Sequence, residues 1–238
     1  MLATAAMRRA CTRTLCASPR VMRPTSQPTL SFDPSAKTAM DKQEPPAPGA
    51  DFRVVIVGAG NINFGSDEGP WNHSFRLEHK LGPRLKVVAL IDPDAERARR
   101  VLKTKCQSFV LSAYKDTVVY PTFKDYMASV CAETYPHAVW VGSPPAFRGG
   151  TEPGRNLEQL LTAGLPNVPL FIEKPVSTGA VDQTFEVAKM LEQNGSLVSV
   201  GYMLRYLKVV QKMKQIIAEN DLHVMAVNAR YILSLIHI

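Results

Sequence analysis

The stretch that decides the fold of this chain is Arg53-Val-Val-Ile-Val-Gly58-Ala-Gly60-Asn-Ile62. Its apolar run is rich in β-branched residues and too short for a helix, which predicts a buried parallel strand. The strand leads directly into Gly-x-Gly. In a dinucleotide-binding fold the first glycine allows a tight turn, and the second lets backbone N–H groups approach a diphosphate. An ordinary strand and loop is an equal interpretation of this turn alone, because position 63 is Asn63 and the next glycine is Gly65.

Length, composition and charge exclude several classes of protein. The 238 residues are 45% hydrophobic, enough for one large domain or one domain and part of another. No apolar run approaches the roughly 20 residues that span a bilayer, so we expect no membrane segment. Residues 1–32 hold five arginines and no acid, which leaves 23 basic and 21 acidic residues in the remainder. Since that remainder is nearly neutral, we expect no nucleic-acid partner. The four cysteines lack zinc-finger or disulfide spacing, which favours reduced thiols and no metal site.

The first 50 residues have the composition of a leader followed by a linker. Residues 1–15 are rich in Arg, Ala and Thr and lack acids, as in a mitochondrial or plastid presequence. An unstructured tail is the equal alternative. Residues 33–50 are proline-rich and predict a linker that does not pack. We therefore expect a mitochondrial protein if the leader is used, and a cytoplasmic one if translation starts at Met40.

A polar, turn-rich insertion over residues 64–74 follows the glycine turn. It lengthens the loop at the mouth of the expected nucleotide site and precedes an amphipathic helix over residues 75–81. In one interpretation it is a lid that carries Trp71 and His73 toward a ligand. In the other it is a surface loop anchored by the tryptophan.

A second buried strand is predicted over residues 86–92, and it ends in Asp92. In a dinucleotide fold an acid at this point accepts hydrogen bonds from the adenosine ribose 2′-hydroxyl, which favours NAD over NADP. The separation of 32 residues from Gly60 exceeds the usual spacing of about 20, mostly because of the insertion. Alternatively, Asp92 caps the following helix. That helix carries three arginines that would hold a phosphate or form a solvated face: Arg97, Arg99 and Arg100.

Apolar runs and helical patterns alternate through the rest of the chain. Strands are predicted over 118–120, 138–142, 170–172 and 197–200, and helices over 124–132, 156–163 and 182–192. This alternation predicts an α/β fold with a doubly wound parallel sheet. Beyond it we expect the start of a second α/β domain, with a helix over 206–219 and a strand over 224–232. Residues 233–238 do not resemble a natural continuation, so we do not regard His237 as catalytic.

Four signals stand at the ends of predicted strands: Gly-x-Gly-Asn-Ile at 58–62, Asp92, Ser-Pro-Pro at 143–145 and Glu-Lys-Pro at 173–175. Together they resemble the glucose–fructose oxidoreductase/inositol dehydrogenase/MocA (Gfo/Idh/MocA) family over about residues 53 to 232. The resemblance implies a Rossmann domain over 51–203 that binds NAD, with NADP as the alternative. It also implies a substrate and oligomerisation domain that begins at 204–238 and is cut short. Members act by hydride transfer on a sugar- or polyol-like substrate, and the full-length form is expected to be a homo-oligomer.

Carried over residue by residue, the resemblance assigns cofactor-binding roles to Gly58, Gly60, Asn61, Ile62, Asp92, Ser143, Pro144, Glu173 and Lys174. The first four would contact the diphosphate, and Ser143 and Pro144 the region of the nicotinamide ribose. Lys174 is the catalytic candidate, because an ammonium near the reacting carbon can polarise a hydroxyl or carbonyl oxygen.

Two departures from the family pattern leave alternatives open. Many members have a histidine shortly after the Pro-Pro turn, where this chain carries Arg148 and Arg155. Either arginine would favour an anionic substrate, hold the diphosphate or form a salt bridge within the loop. The family's second-domain Asp/His pair would lie downstream of residue 238. A non-catalytic dinucleotide-binding regulator, or an inactive fragment, is therefore the alternative to an oxidoreductase.

Overall fold

The computed structural model describes residues 46–66, 71–228 and 230. The predictions for the leader over residues 1–45, for Met40 and for residues 231–238 with His237 lie outside these ranges. Among the described helices none is both long and apolar enough to cross a bilayer. In the same ranges no three His, Cys, Asp or Glu side chains are grouped as metal ligands.

A parallel sheet forms the centre of the described chain. Its strands are β1 (Phe52–Val57), β2 (Leu85–Ile91), β3 (Val118–Tyr120), β4 (Ala138–Val141), β5 (Leu170–Ile172) and β6 (Val198–Val200). They lie in the order β3-β2-β1-β4-β5-β6, and every pairing is parallel. After β3 the chain crosses to the other side of β1, which makes the edge between β1 and β4 the topological switch point. The predicted α/β, doubly wound fold is confirmed.

The helices that connect these strands are α1 (Asn61–Phe64), α2 (His73–Leu81), α3 (Ala95–Cys106), α4 (Leu111–Tyr114), α5 (Phe123–Met127), α6 (Leu157–Gly164) and α7 (Val181–Gln193). The side chains of Asn72, Asp94 and Thr122 accept backbone N–H bonds at the starts of α2, α3 and α5. The cap of α3 is therefore Asp94, and the alternative that gave this role to Asp92 was wrong.

Helix α5 is shorter than the predicted helix over 124–132, because local side-chain bonds turn the backbone after Met127. The hydroxyl of Ser129 donates to the carbonyl oxygen of Tyr126. The N–H of Cys131 donates to the hydroxyl oxygen of Thr134. Such bonds to nearby backbone groups compete with helix continuation.

Apolar side chains pack on both faces of the sheet. Successive residues of a strand point to opposite faces, so Val55 and Val57 join a cluster with Leu161, and Val54 and Ile56 join another with Leu102. These four side chains of β1 are all buried. The uninterrupted apolar run of β1 therefore follows from burial of the strand on both sides, as is typical of parallel sheets.

Beyond β6 the chain forms a 3₁₀ turn (Met203–Tyr206) and helix α8 (Lys208–Glu219). The predicted helix over 206–219 is present but begins two residues later. The predicted strand over 224–232 was wrong for residues 224–228 and 230, which have no strand structure. A strand is stable only within a hydrogen-bonded ladder, and these residues pair with no described strand. Residues 229, 231 and 232 lie outside the described ranges.

Candidate functional site

The turn after β1 depends on Gly58. Its φ of 96° lies in the left-handed region that glycine adopts readily. A Cβ at this position would lie 3.0 Å from the backbone nitrogen of Ser143 and 3.1 Å from the carbonyl carbon of Gly142. The loops after β1 and β4 can therefore touch only because residue 58 is glycine. A Cβ on Gly60, by contrast, would have nothing within 4 Å.

Asn63 supports this turn from the protein interior. It is fully buried, and its amide nitrogen donates to the carbonyl oxygens of Val57 (3.1 Å) and Gly58 (2.7 Å). A Cβ on Gly142 would overlap the Asn63 side chain. The residue that replaces the expected third glycine thus satisfies two buried carbonyls, which a glycine cannot do.

Asp92 links the end of β2 to the glycine turn. Its Oδ2 accepts the N–H of Ala59 at 2.7 Å. Its Oδ1 accepts from the N–H of Asp94 at 2.8 Å and from Nη2 of Arg97 at 3.1 Å. The carboxylate is therefore held in a fixed orientation, with Arg97 beside it, whereas Arg99 and Arg100 are exposed on α3.

All nine predicted site residues line one cavity of about 370 Å³. Gly58, Asp92, Gly142 and Glu173 each follow the last residue of a strand, so the cavity lies at the carboxyl edge of the sheet, at the switch point. Four further residues line it: Arg97, Gly142, Pro145 and Arg148. Gly142 and Pro145 were not predicted as site residues, although both flank the Ser-Pro motif that was.

The cavity fits a dinucleotide in two respects. The hydroxyl oxygen of Ser143 is buried and has no hydrogen-bond partner among the described residues. A buried polar atom of this kind is costly unless a ligand or water satisfies it. The open side of Gly60 also borders the cavity, so a diphosphate can approach the backbone there without meeting a side chain.

His73 reaches the same edge of the sheet from the insertion. It is the first residue of α2, only 2% exposed, and its Nε2 lies 2.7 Å from Oε1 of Glu173. The other carboxylate oxygen accepts the N–H of Lys174 at 2.9 Å. Burial raises the pKa of Glu173, but the hydrogen bond and charge of His73, together with the backbone N–H and the charge of Lys174, outweigh it, so the net pKa is lowered. Glu173 is therefore ionised at neutral pH, and His73 donates the hydrogen bond.

The structure places His73 and Trp71 differently from the two interpretations of the insertion. His73 is buried in the domain and does not lie on a lid. Trp71 is 45% exposed, which does not fit an anchoring role. Residues 67–70 lie outside the described ranges.

Arg148 is a buried connection between two loops. It is 1% exposed, and it donates from Nε to the carbonyl oxygen of Ser143 (3.1 Å) and from Nη1 to that of Val176 (3.0 Å). Burial lowers the pKa of Arg148, while the charges of Glu158 and Glu173 oppose the shift. Among the described residues Arg148 forms no salt bridge within 4.0 Å. It also lines the cavity, so a contact with an anionic substrate or with the diphosphate stays a prediction. Arg155 bonds to Thr178 at 3.4 Å and does not line the cavity.

Comparison with protein families matches nearly all of the described chain. The model of the Gfo/Idh/MocA oxidoreductase family, described as an NAD-binding Rossmann fold, matches residues 52–202. A second model, described as a putative oxidoreductase C-terminal domain, matches residues 205–238.

Two curated relatives come from Schizosaccharomyces pombe. The uncharacterized protein C12C2.04 is 43% identical over 185 residues, which cover 77% of this chain and 48% of the relative. The uncharacterized protein UNK4.17 is 43% identical over 198 residues, which cover 82% of this chain and 48% of that relative. The chain thus spans about half the length of the curated relatives it matches.

Two solved structures share the fold. One is the WlbA dehydrogenase from Chromobacterium violaceum in complex with NADH and UDP-GlcNAcA, with a TM-score of 0.52, 17% identity, and coverage of 75% of this chain and 43% of that one. The other is an NAD binding oxidoreductase from Klebsiella pneumoniae, with a TM-score of 0.50, 19% identity, and coverage of 72% and 40%. At this identity the likeness shows the fold alone. The family match covers well over half of the sequence, and the chain therefore belongs to the Gfo/Idh/MocA oxidoreductase family, with its NAD-binding Rossmann domain.

Proposed function

We propose that this protein transfers a hydride between NAD and an alcohol or carbonyl carbon of a sugar- or polyol-like substrate. The observation that carries the proposal is the convergence of all nine predicted residues on one cavity at the switch point of the sheet. Dinucleotides bind at this place in open α/β sheets. The resemblance to sugar and cyclitol oxidoreductases supports the substrate class, as does the WlbA dehydrogenase complex with UDP-GlcNAcA.

Each wall of the cavity would have its own role in cofactor binding. The backbone of residues 58–62 would hold the diphosphate, Asp92 the adenosine ribose, and Ser143 with Pro144 the nicotinamide ribose. The cofactor, when bound, supplies or accepts the hydride. Ser143 would gain the hydrogen-bond partner that its buried hydroxyl lacks among the described residues.

Lys174 would act on the substrate oxygen. It is exposed and lines the cavity next to Glu173. An ammonium at this place can donate a hydrogen bond to a carbonyl oxygen as the carbon gains a hydride, or receive the hydroxyl proton in the reverse direction after losing its own. Lys174 is thus the residue of this chain that would touch the reacting atoms.

Calorimetric titration of the 238-residue chain with NAD and with NADP tests the binding part of the proposal. We expect saturable NAD binding and a matching rise in melting temperature, because a ligand that binds only the folded state stabilises it. A chain that melts cooperatively but binds neither dinucleotide would contradict the proposal. Turnover is then measured on the full-length protein with a panel of sugars and polyols. If the protein binds NAD tightly but none of these compounds reduces it, the result would favour the alternative, a non-catalytic dinucleotide-binding regulator.

Replacing Asp92 with alanine should weaken NAD binding more than NADP binding. A hydrogen bond from a ribose hydroxyl to a carboxylate contributes about 1.5–3 kcal/mol, so NAD affinity should fall about 10- to 100-fold. NADP should lose less, because the same change removes a charge that repels the 2′-phosphate. Both affinities are measured by calorimetry.

Asp94→Ala is the matched control for this variant. It removes the cap of α3, which lowers stability by about 1 kcal/mol, but Asp94 does not line the cavity. The ratio of NAD to NADP affinity should therefore stay at the wild-type value. Equal losses of both affinities in Asp92→Ala would remove Asp92 from the ribose site.

A further inference from the structure

Glu173 is adjacent to Lys174 in the chain, yet its carboxylate does not pair with the lysine ammonium. No ion pair within 4.0 Å joins the two side chains, whereas His73 and Glu173 form one at 2.7 Å. Both oxygens of the carboxylate are engaged: Oε1 faces Nε2 of His73, and Oε2 accepts the backbone N–H of Lys174. Both carboxylate oxygens are thus bonded to groups other than the ammonium of Lys174, which acts on Glu173 by its charge without an ion pair.

Close packing holds His73 in place for this contact. The centroid of its ring lies 5.4 Å from that of Trp140 and 5.0 Å from that of Phe171. Its Nδ1 is buried without a hydrogen-bond partner among the described residues, so the polar contact of the ring is the one made by Nε2. Asn72 caps the helix at its first turn by accepting the N–H of Phe75 at 2.9 Å. The imidazole therefore approaches Glu173 in one orientation.

The two arginines that line the cavity are engaged with other groups. Arg148 donates to two backbone carbonyls, and Arg97 pairs with Asp92. Gly201 packs against the carboxylate, since a Cβ there would lie 2.9 Å from Oε1. Within the described chain, His73 is thus the side chain hydrogen-bonded to this carboxylate.

We propose that His73 is a positioning residue that binds the Glu173 carboxylate and so keeps it from pairing with the ammonium of Lys174. The ammonium then remains free to meet the substrate oxygen. The meaning of this role rests on the proposed function of Lys174. Without His73, the carboxylate would lose this partner and would turn to the ammonium, since opposite charges attract each other more strongly where water is excluded.

The reactivity of the Lys174 amine toward an acetylating reagent tests the proposal. The reagent is used at limiting concentration and fixed pH, and acetylation is quantified by peptide mass spectrometry. The exposed Lys115 and Lys189 serve as internal references in the same sample. Pairing with a carboxylate protects an amine, so a protective effect of about 0.2–1 kcal/mol should slow acetylation by up to about fivefold.

Two substitutions of His73 separate a hydrogen-bonding role from a packing role. His73→Gln places an amide N–H close to the position of Nε2, whereas His73→Asn places it nearer Nδ1 and too far from Glu173. We expect acetylation of Lys174 to slow in the Asn variant, by up to about fivefold, and to keep the wild-type rate in the Gln variant. The same slowing should be absent when Glu173→Gln is combined with His73→Asn.

His79→Asn is the matched control, because His79 is exposed on the same helix and stacks on Phe75. Its acetylation pattern should equal that of the wild type. If His73 merely supported the local structure, its loss would loosen the loop and leave Lys174 acetylation unchanged or faster, and that result would overturn the proposal.

Glu173→Gln alone provides a second test if the Asn variant does not melt cooperatively. In the wild type the carboxylate is held by His73, so removing its charge should leave Lys174 acetylation near the wild-type rate. A severalfold acceleration would mean that Glu173 already pairs with Lys174, contrary to the proposal. Acetylation requires neither cofactor nor substrate, so failure here leaves hydride transfer standing, and an inactive enzyme leaves the role of His73 testable.

Discussion

Replacing Lys174 with alanine in the full-length protein is expected to lower kcat about 10²- to 10⁴-fold, the range of a lost general acid or base. Lys174 lies in the cavity but is exposed, and its own backbone N–H, which the alanine keeps, makes the bond to Glu173. The affinity for NAD and the melting temperature should therefore stay near the wild-type values.

Turnover, NAD affinity and melting temperature are measured on one preparation of the Lys174→Ala variant and compared with the wild-type values. Lys189→Ala on α7 is the control, because that lysine is exposed and does not line the cavity. Lys174→Arg should also be nearly inactive, since guanidinium keeps the charge but does not release its proton. Unchanged turnover in the alanine variant would remove Lys174 from the chemistry.

Replacing Gly58 with alanine should both destabilise the domain and abolish NAD binding. The left-handed φ costs a residue with a Cβ about 1–3 kcal/mol, and the Cβ would also press on the backbone of Ser143. For a domain of this size, each kcal/mol lowers the melting temperature by about 2–4 °C. The turn and the loop after β4 would separate, which widens the cavity where the diphosphate is expected.

Gly60→Ala is the matched variant, because residue 60 has a φ of −80° and open space where the Cβ would stand. It should melt at the wild-type temperature and still bind NAD more weakly, since the methyl group occupies the approach to the backbone. Thermal melts and calorimetric titration of both variants check the pair. Equal melting temperatures for Gly58→Ala and the wild type would contradict the strain assigned to this turn.

Much of the fold could be predicted because parallel strands carry a strong local signal. A strand buried on both faces carries an uninterrupted apolar run, as residues 54–57 of β1 do, and the residue after each strand reaches the same edge of the sheet. The strand-end motifs that contain Gly58, Asp92, Ser143 and Lys174 could thus be placed at one edge of the sheet, and the resemblance to the Gfo/Idh/MocA family gave these residues their predicted roles. Their contacts with a cofactor remain a prediction.

The remainder depends on contacts that local sequence does not contain. Nothing around His73 indicates that it would bond to a residue 100 positions later. The burial of Arg148 is decided by carbonyl groups of Ser143 and Val176, which any residue could supply. The prediction of a strand from residue 224 onward was wrong for a related reason, since a strand requires a neighbouring strand to pair with as well as a suitable sequence.

The guanidinium of Arg148 holds two loops of the cavity in a fixed relative position. It bonds to one carbonyl in the loop that carries Ser143 and to another just after Lys174. These two bonds fix the distance between the loop of Ser143, which would face the nicotinamide, and the segment of Lys174, which would face the substrate oxygen. A displacement of one of these two segments would then be transmitted to the other.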